Sequence, residues 1–198
     1  MKYPDPYTGT LEELLQPETE LESELLRQPE LREGMRWGEP RYGHPEGKVL
    51  YHVREVLDNV DLLDIDPVLR KQLRLITIVH DSFKNLEDKS RPRDWSRHHA
   101  VLARQFLERF TKVEAVLKVT ELHDEAYYAW RAIHLYDKAE AGWRRLQQLL
   151  DRLGDDLQLF YLFFKCDTQT GDKIQAPVRW FEESVPTLQL VSVRELLY

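Results

Sequence analysis

Apolar residues recur at three- and four-residue spacing through most of the chain beyond residue 46, and no stretch alternates with a period of two. That pattern restricts the chain to packed helices. Val49, Val53, Val56, Leu57 and Val60 mark one apolar stripe over about 46–60, and Leu69, Leu73 and Ile76 mark another over about 67–80. Asp66 is the expected N-cap of the second helix, with Pro67 at its first position. Leu102, Ala103, Phe106, Leu107 and Phe110 define a third, capped by Asp94 or Ser96, and Val113, Val116, Leu117 and Thr120 a fourth over about 112–124. The aromatic stretch 125–136 continues as helix or packs as a lid. Trp143, Leu146, Leu149, Leu150 and Leu153 are the expected burial positions of a helix over 137–153 that Gly154 stops. Leu157, Phe160, Phe163 and Phe164 face inward over 155–167; a shorter helix near 177–184 and an apolar tail follow. The fold class expected is all-α, an orthogonal bundle of about five to seven helices.

Residues 1–40 read differently. They are acidic, punctuated by proline and glycine, and are expected to form a loosely structured N-terminal arm whose leucines can lie along the main body. Residues 41–198 are expected to form the body.

The helical stripes carry polar residues at core-facing positions. His52 sits at the edge of the first stripe. His80 falls four residues after Ile76, with Asp81 next to it. His99 fits the face of Leu102, Ala103 and Phe106, whereas His98 lies about 100° away, nearer the rim. His123 continues the face of Val116 and Thr120, and Asp167 follows Phe163 by four. A polar group in a core is costly unless paired or metal-bound. One buried His–Asp pair is unremarkable as packing; four imidazoles and two carboxylates from five helices are not. Nitrogen and oxygen donors without thiolate suit manganese, iron, cobalt, nickel or magnesium, as one ion or two.

Composition narrows the class. A formal net charge of -7 over 198 residues argues against bulk nucleic-acid binding through a basic surface, but leaves a small phosphorylated substrate open. Cys166 is the only cysteine, so neither an internal disulfide nor a Cys-based zinc site is available. Neither a secretory leader nor a membrane-length apolar run is seen, and a cytoplasmic location is expected.

The ordered set His52, His80-Asp81, His99, His123 and Asp167 resembles the HD-domain superfamily of metal-dependent phosphohydrolases. GHPEGKVLYHVREVLDNV, HHAVLARQFLERF, TELHDE and FFKCDTQT are similar to the HD domains of bacterial tRNA nucleotidyltransferases and poly(A) polymerase-like proteins, across about 41–172. The resemblance implies an HD domain at 41–198 with a C-terminal helical extension. It implies His52, His80, Asp81 and Asp167 as metal ligands, and His99 and His123 as second-metal ligands or phosphate contacts. Asp81, Lys84 and His123 are then the catalytic candidates: Asp81 to orient a water, Lys84 and His123 to offset phosphate charge. Lys84, Arg97, His98 and His99 are the candidate substrate contacts.

Phe83 stands where the family usually has glycine, which questions the reach of Lys84. No nucleotidyltransferase head fits before residue 41, so nucleotide addition is not expected. The expected activity is hydrolysis of a phosphoester of a nucleotide, cyclic nucleotide or RNA end, with a 2′,3′-cyclic phosphate end as one possibility. The alternative is a non-catalytic module that binds a nucleotide or RNA end. A basic rim of Lys89, Arg91, Arg93 and Arg97 is expected to be solvated or to attract phosphate. Trp95, Tyr127, Tyr128 and Trp130 are expected as core or lid packing, His44 as a turn residue, and His134 as a surface or aromatic-packing residue. Nothing in the sequence fixes the oligomeric state.

Overall fold

The computed structural model describes residues 9–192. In chain order the α-helices are α1 (Leu11–Leu15), α2 (Glu20–Leu26), α3 (Pro29–Met35), α4 (Val49–Asp61), α5 (Pro67–Val79) and α6 (His99–Leu107). They continue as α7 (Glu114–Leu122), α8 (Glu125–His134), α9 (Ala139–Leu153), α10 (Leu157–Thr168) and α11 (Ala176–Ser184). Short 3-10 turns occupy Lys84–Leu86, Trp95–Arg97 and Gly154–Asp156. Among the described residues the only β-type pairing is an isolated bridge between Arg41 and His44, and their regular structure is all helical. Part of the apolar tail, 193–198, lies outside the described residues.

The local signals act where the spacing placed them. The Asp66 carboxylate accepts from the N–H groups of Val68 and Leu69, satisfying two donors that the first turn of α5 leaves open. Gly154 ends α9 at φ 52°, a conformation that a side chain disfavours. The apolar faces of α4, α5, α7 and α10 meet at the centre, where Val53, Val56, Leu73, Ile76, Val116, Phe160 and Phe163 have no solvent exposure. α8 and α9 pack against each other beside this centre.

Residues 11–35 depart from the loose arm expected of them. Leu15, Leu25, Leu26, Leu31 and Met35 are fully buried in the same core as α4 and α5. Arg74 of α5 holds this segment: its guanidinium bonds the Glu22 carboxylate at 2.9 Å and the Gln16 carbonyl at 2.8 Å. Both charged side chains are buried. The pairing partner lies 52 residues away, beyond what local spacing reveals.

Several boundaries shift. α6 begins at His99, and Asp94 caps the preceding 3-10 turn; the α6 cap is the His98 imidazole, which accepts from the Ala100 N–H. Val113 is the exposed N-cap of α7 rather than part of its inner face. Trp143 is half exposed and leans on Trp180, because the buried face of α9 runs through Gly142, Leu146, Leu149 and Leu153. The Gly142 position is itself a close approach: a Cβ there would lie 2.8 Å from the Ala129 carbonyl oxygen of α8.

Candidate metal centre

α4, α5, α6, α7 and α10 each bring one end or face to a single buried cluster. His80 is the C-cap of α5, His123 the C-cap of α7, and His99 opens α6. His52 comes from α4 and Asp167 from the last turn of α10, 115 residues apart (167 − 52). All four imidazoles and Asp81 are buried.

Asp81 stands between two pairs of histidines. Its Oδ2 lies 3.5 Å from His80 Nε2 and 3.7 Å from His52 Nε2. Its Oδ1 lies 3.4 Å from His99 Nε2 and 3.5 Å from His123 Nε2. Within each pair the Nε2 atoms are 3.3 Å apart. Asp167 joins the first pair, with Oδ1 2.9 Å from His52 Nε2 and 3.9 Å from His80 Nε2. Asp124 joins the second, with Oδ2 3.4 Å from His99 Nε2 and 3.8 Å from His123 Nε2.

These separations fit shared cations. Ligands on one ion at about 2.1 Å lie roughly 3.0 Å apart at octahedral angles and 3.4 Å at tetrahedral ones. The donor chemistry fits too: two imidazoles and two carboxylates in each group, with Asp81 common to both.

The histidines are held from behind. His80 Nδ1 donates to the Thr77 carbonyl and His123 Nδ1 to the Thr120 carbonyl, each at 2.9 Å. A carbonyl only accepts, so Nδ1 carries the hydrogen and Nε2 is left facing the cluster. Behind His52 and His99 stand carboxylates instead. Glu46 Oε1 lies 3.5 Å from His52 Nδ1, with the Thr170 hydroxyl beside it at 3.4 Å, and Glu87 Oε2 lies 3.5 Å from His99 Nδ1. Each imidazole pair therefore has one ring backed by a main-chain carbonyl and one by a glutamate.

Protonation follows from burial and neighbours. Burial pushes His80 down to about 3 and outweighs the nearby Asp81. His52 is lowered, also by burial, with Lys173 adding to the effect. His123 is pushed up to about 9: burial opposes its charge, but Asp124 and Asp81 overcome it. Burial raises the carboxyls of Asp81, Asp124 and Asp167, yet the lysines and imidazoles beside them win at all three. Lys84 and His80 hold Asp81 well below the carboxylate range, and Lys173 and His52 do the same for Asp167. Asp124 is held to about 2, chiefly by His123 and His99.

Lys84 ion-pairs with Asp81 despite Phe83, which is buried against Phe106 at 5.1 Å. The bulkier residue packs into the core, and the lysine still faces the carboxylate. Other sequence candidates lie elsewhere. Arg97 is mostly exposed, pairs with Asp88 and is not among the residues lining the cavity over Asp81. Arg93 pairs with Glu87, Lys89 also approaches Glu87, and neither lines that cavity. His98 is buried rather than on a rim; it bonds the Tyr128 hydroxyl at 3.0 Å and lines a different cavity with Trp95 and Arg145. The expected contacts of Arg97 and His98 with substrate are therefore not supported by position. Trp130 and Tyr127 do wall the cavity over Asp81, and His134 packs on Trp130.

Sequence reasoning missed four residues. Asp124 adjoins His123 at the α7–α8 junction, where a helical stripe breaks. Glu46 lies in a Gly/Pro turn and Glu87 in a charged loop. Lys173, 3.0 Å from Asp167 Oδ1, follows the end of α10. Only Asp124 had a visible signal, as the neighbour of a core-facing histidine. No descriptive match supplements the geometry: comparisons with protein-family models, curated proteins and solved structures find nothing similar to this chain.

Proposed function

We propose that this chain is a metal-dependent phosphoric ester hydrolase of the HD-domain type, built on that family's orthogonal bundle and acting on a nucleotide or related phosphoester. The observation that carries the reading is the position of Asp81, with one carboxylate oxygen turned to each of two imidazole pairs. His52, His80, Asp81 and Asp167 would hold one divalent ion; Asp81, His99, His123 and Asp124 would hold a second. Such ions supply Lewis acidity at the phosphoryl oxygens and a hydroxide nucleophile near neutral pH.

The chain's own groups do the rest. The main-chain carbonyls of Thr77 and Thr120 fix the rings of His80 and His123, and Glu46 and Glu87 orient His52 and His99. Lys84, beside Asp81 on the floor of the site, would offset charge on a phosphate above the cluster. Lys173 keeps Asp167 ionised.

Metal content by mass spectrometry, measured beside turnover of bis-p-nitrophenyl phosphate, p-nitrophenyl phosphate and a nucleotide panel, tests this. Bound manganese, iron, cobalt, nickel or magnesium with hydrolysis is expected. A protein that takes up none of these ions overturns the reading. An ion with no turnover of any ester overturns the hydrolase reading and favours a nucleotide- or RNA-end-binding module.

A further inference from the structure

We infer that the site takes a phosphomonoester with a single phosphate on a compact, flat, unsaturated ring system, and rejects polyphosphates and nucleic-acid ends. The inference rests on the hydrolase reading and narrows its substrate. A cavity of about 320 Å³ opens over the cluster. That is near the bottom of the roughly 300–1,000 Å³ range of small-molecule sites, enough for one ring-bearing body and not for a chain.

The floor and wall of this cavity differ in chemistry. Asp81, Lys84, His123, Asp124 and Asp167 form the floor. Most of the wall is apolar, with Tyr127, Trp130, Leu135, Ile174 and Pro177, and His44 and Thr168 are polar members of the lining. Tyr127 and Trp130 stack on each other at 14° between planes, with centroids 6.0 Å apart. Leu135 and Ile174 are about half exposed, which leaves apolar surface at the mouth for a flat body to cover.

Charge sets the phosphate count. Lys84 and Lys173 are the cationic lysine or arginine side chains of the lining, and each already faces a carboxylate, Asp81 and Asp167. The floor has three carboxylates. A phosphate on the floor meets Lys84 and Lys173; a β- or γ-phosphate beyond it would lie toward Tyr127 and Leu135, where the one nearby cation, Arg131 over the Tyr127 ring at 5.4 Å, already bonds Tyr136 and does not line the cavity. A nucleic-acid end would need a basic track for its flanking phosphates. Arg93 and Arg97, in the basic loop after Lys84, pair with Glu87 and Asp88 and do not line the cavity. In the reaction, a water oxygen bonds to phosphorus as the ester P–O bond breaks. The leaving oxygen takes a proton, and the products are inorganic phosphate and the ring-bearing alcohol or phenol.

The test uses the full chain loaded with manganese. The substrates are phenyl phosphate, a nucleoside 5′-monophosphate, its 5′-triphosphate, glycerol 2-phosphate and a 3′-phosphorylated oligoribonucleotide. Phenyl phosphate and the monophosphate should each exceed the triphosphate and glycerol phosphate at least tenfold in kcat/KM, and the oligonucleotide should not turn over. If phenyl phosphate leads, the ring is a simple aryl group; if the monophosphate leads, it is a nucleobase. Tyr127→Ala should reduce the preference for phenyl phosphate over glycerol phosphate roughly 5- to 100-fold through a raised KM, and Tyr127→Phe should retain it. Equal use of the triphosphate or the oligonucleotide, or a preference unmoved by Tyr127→Ala, overturns the inference. Calorimetric binding of the same monophosphate and triphosphate reads selectivity without turnover. Tighter monophosphate binding with no hydrolysis would sink the hydrolase reading alone; tighter triphosphate binding would sink this inference.

Discussion

Gly34→Ala tests whether the N-terminal helices hold the candidate centre in place. Gly34 lies on α3, and a Cβ built there would lie 1.5 Å from the Ser82 carbonyl oxygen and 2.6 Å from the carbonyl carbon. Reaching ordinary contact at about 3.5 Å requires the two backbones to part by roughly 2 Å. Ser82 is the residue after Asp81, and its hydroxyl is bonded to the Ile78 carbonyl at 3.0 Å, so the turn is tied to the end of α5. A displaced Ser82 therefore carries Asp81 with it. Overpacking of this kind costs about 1–3 kcal/mol, and a catalytic group misplaced by about 1 Å costs roughly 100-fold in rate. We expect Gly34→Ala to lower the melting temperature by about 2–4 °C per kcal/mol lost, and to weaken manganese binding measured by calorimetry at the same time. Glu33→Ala, at the exposed neighbour on the same helix, is the control and should change neither. A variant that melts early but binds manganese like wild type would show that α3 yields and Asp81 stays, which refutes the coupling; no change in either would refute the packing argument itself.

Four further outcomes follow from the same geometry. Asp81→Ala should abolish metal retention and hydrolysis together, whereas Lys84→Ala should keep the metal and lose roughly 10- to 1,000-fold in kcat/KM; mass spectrometry beside turnover separates them. Glu46→Gln and Glu87→Gln should each weaken manganese binding about 10- to 100-fold by calorimetry, since each carboxylate stands behind an imidazole of the cluster; Glu46 also bonds His44 and Glu87 pairs with Arg93, so thermal melts beside the calorimetry check that the fold is kept. Arg74→Met should cost about 3–5 kcal/mol in urea denaturation by stranding the Glu22 carboxylate, and adding Glu22→Leu should recover much of that loss. In metal-free protein, His80 is depressed to about 3, so the folded state resists a proton that the unfolded chain accepts below about 6.5. Its contribution is present above that pH and is lost as pH falls from 6.5 towards 3. His123, raised to about 9, contributes fully below about 6.5 and loses its contribution as pH rises through 9. Urea midpoints from pH 4 to 10 should therefore fall on both sides of neutrality, and a midpoint that rises steadily into acid would contradict the burial of His80.

The helices and the imidazoles were legible for the same reason: an apolar stripe specifies which residues share its face. His80, His99 and His123 extend such stripes, and their rings meet in the structure. The rule fails where its premise does. Helical geometry puts His98 near a rim, but α6 starts after it, so its ring folds back as a cap and is buried. Asp124, Glu46 and Glu87 stand in turns and junctions, where no period assigns a direction to a side chain. The N-terminal helices were obscured because prolines and acids read as loop, while the buried Arg74–Glu22 pair exists only once distant segments meet.

The two donor groups around Asp81 differ in how much chain must exist before each is complete. The one with His99, His123 and Asp124 closes within 43 residues of Asp81 (124 − 81), while the one with His52 and His80 waits for Asp167, a further 43 residues on (167 − 124). At about 5–20 residues per second of synthesis, that interval is roughly 2–9 s. Under the proposed two-ion reading, a growing chain completes one donor set while the other still lacks a carboxylate, and the second set closes only when α10 arrives. Order of assembly is in this way set by the spacing of ligands along the polypeptide.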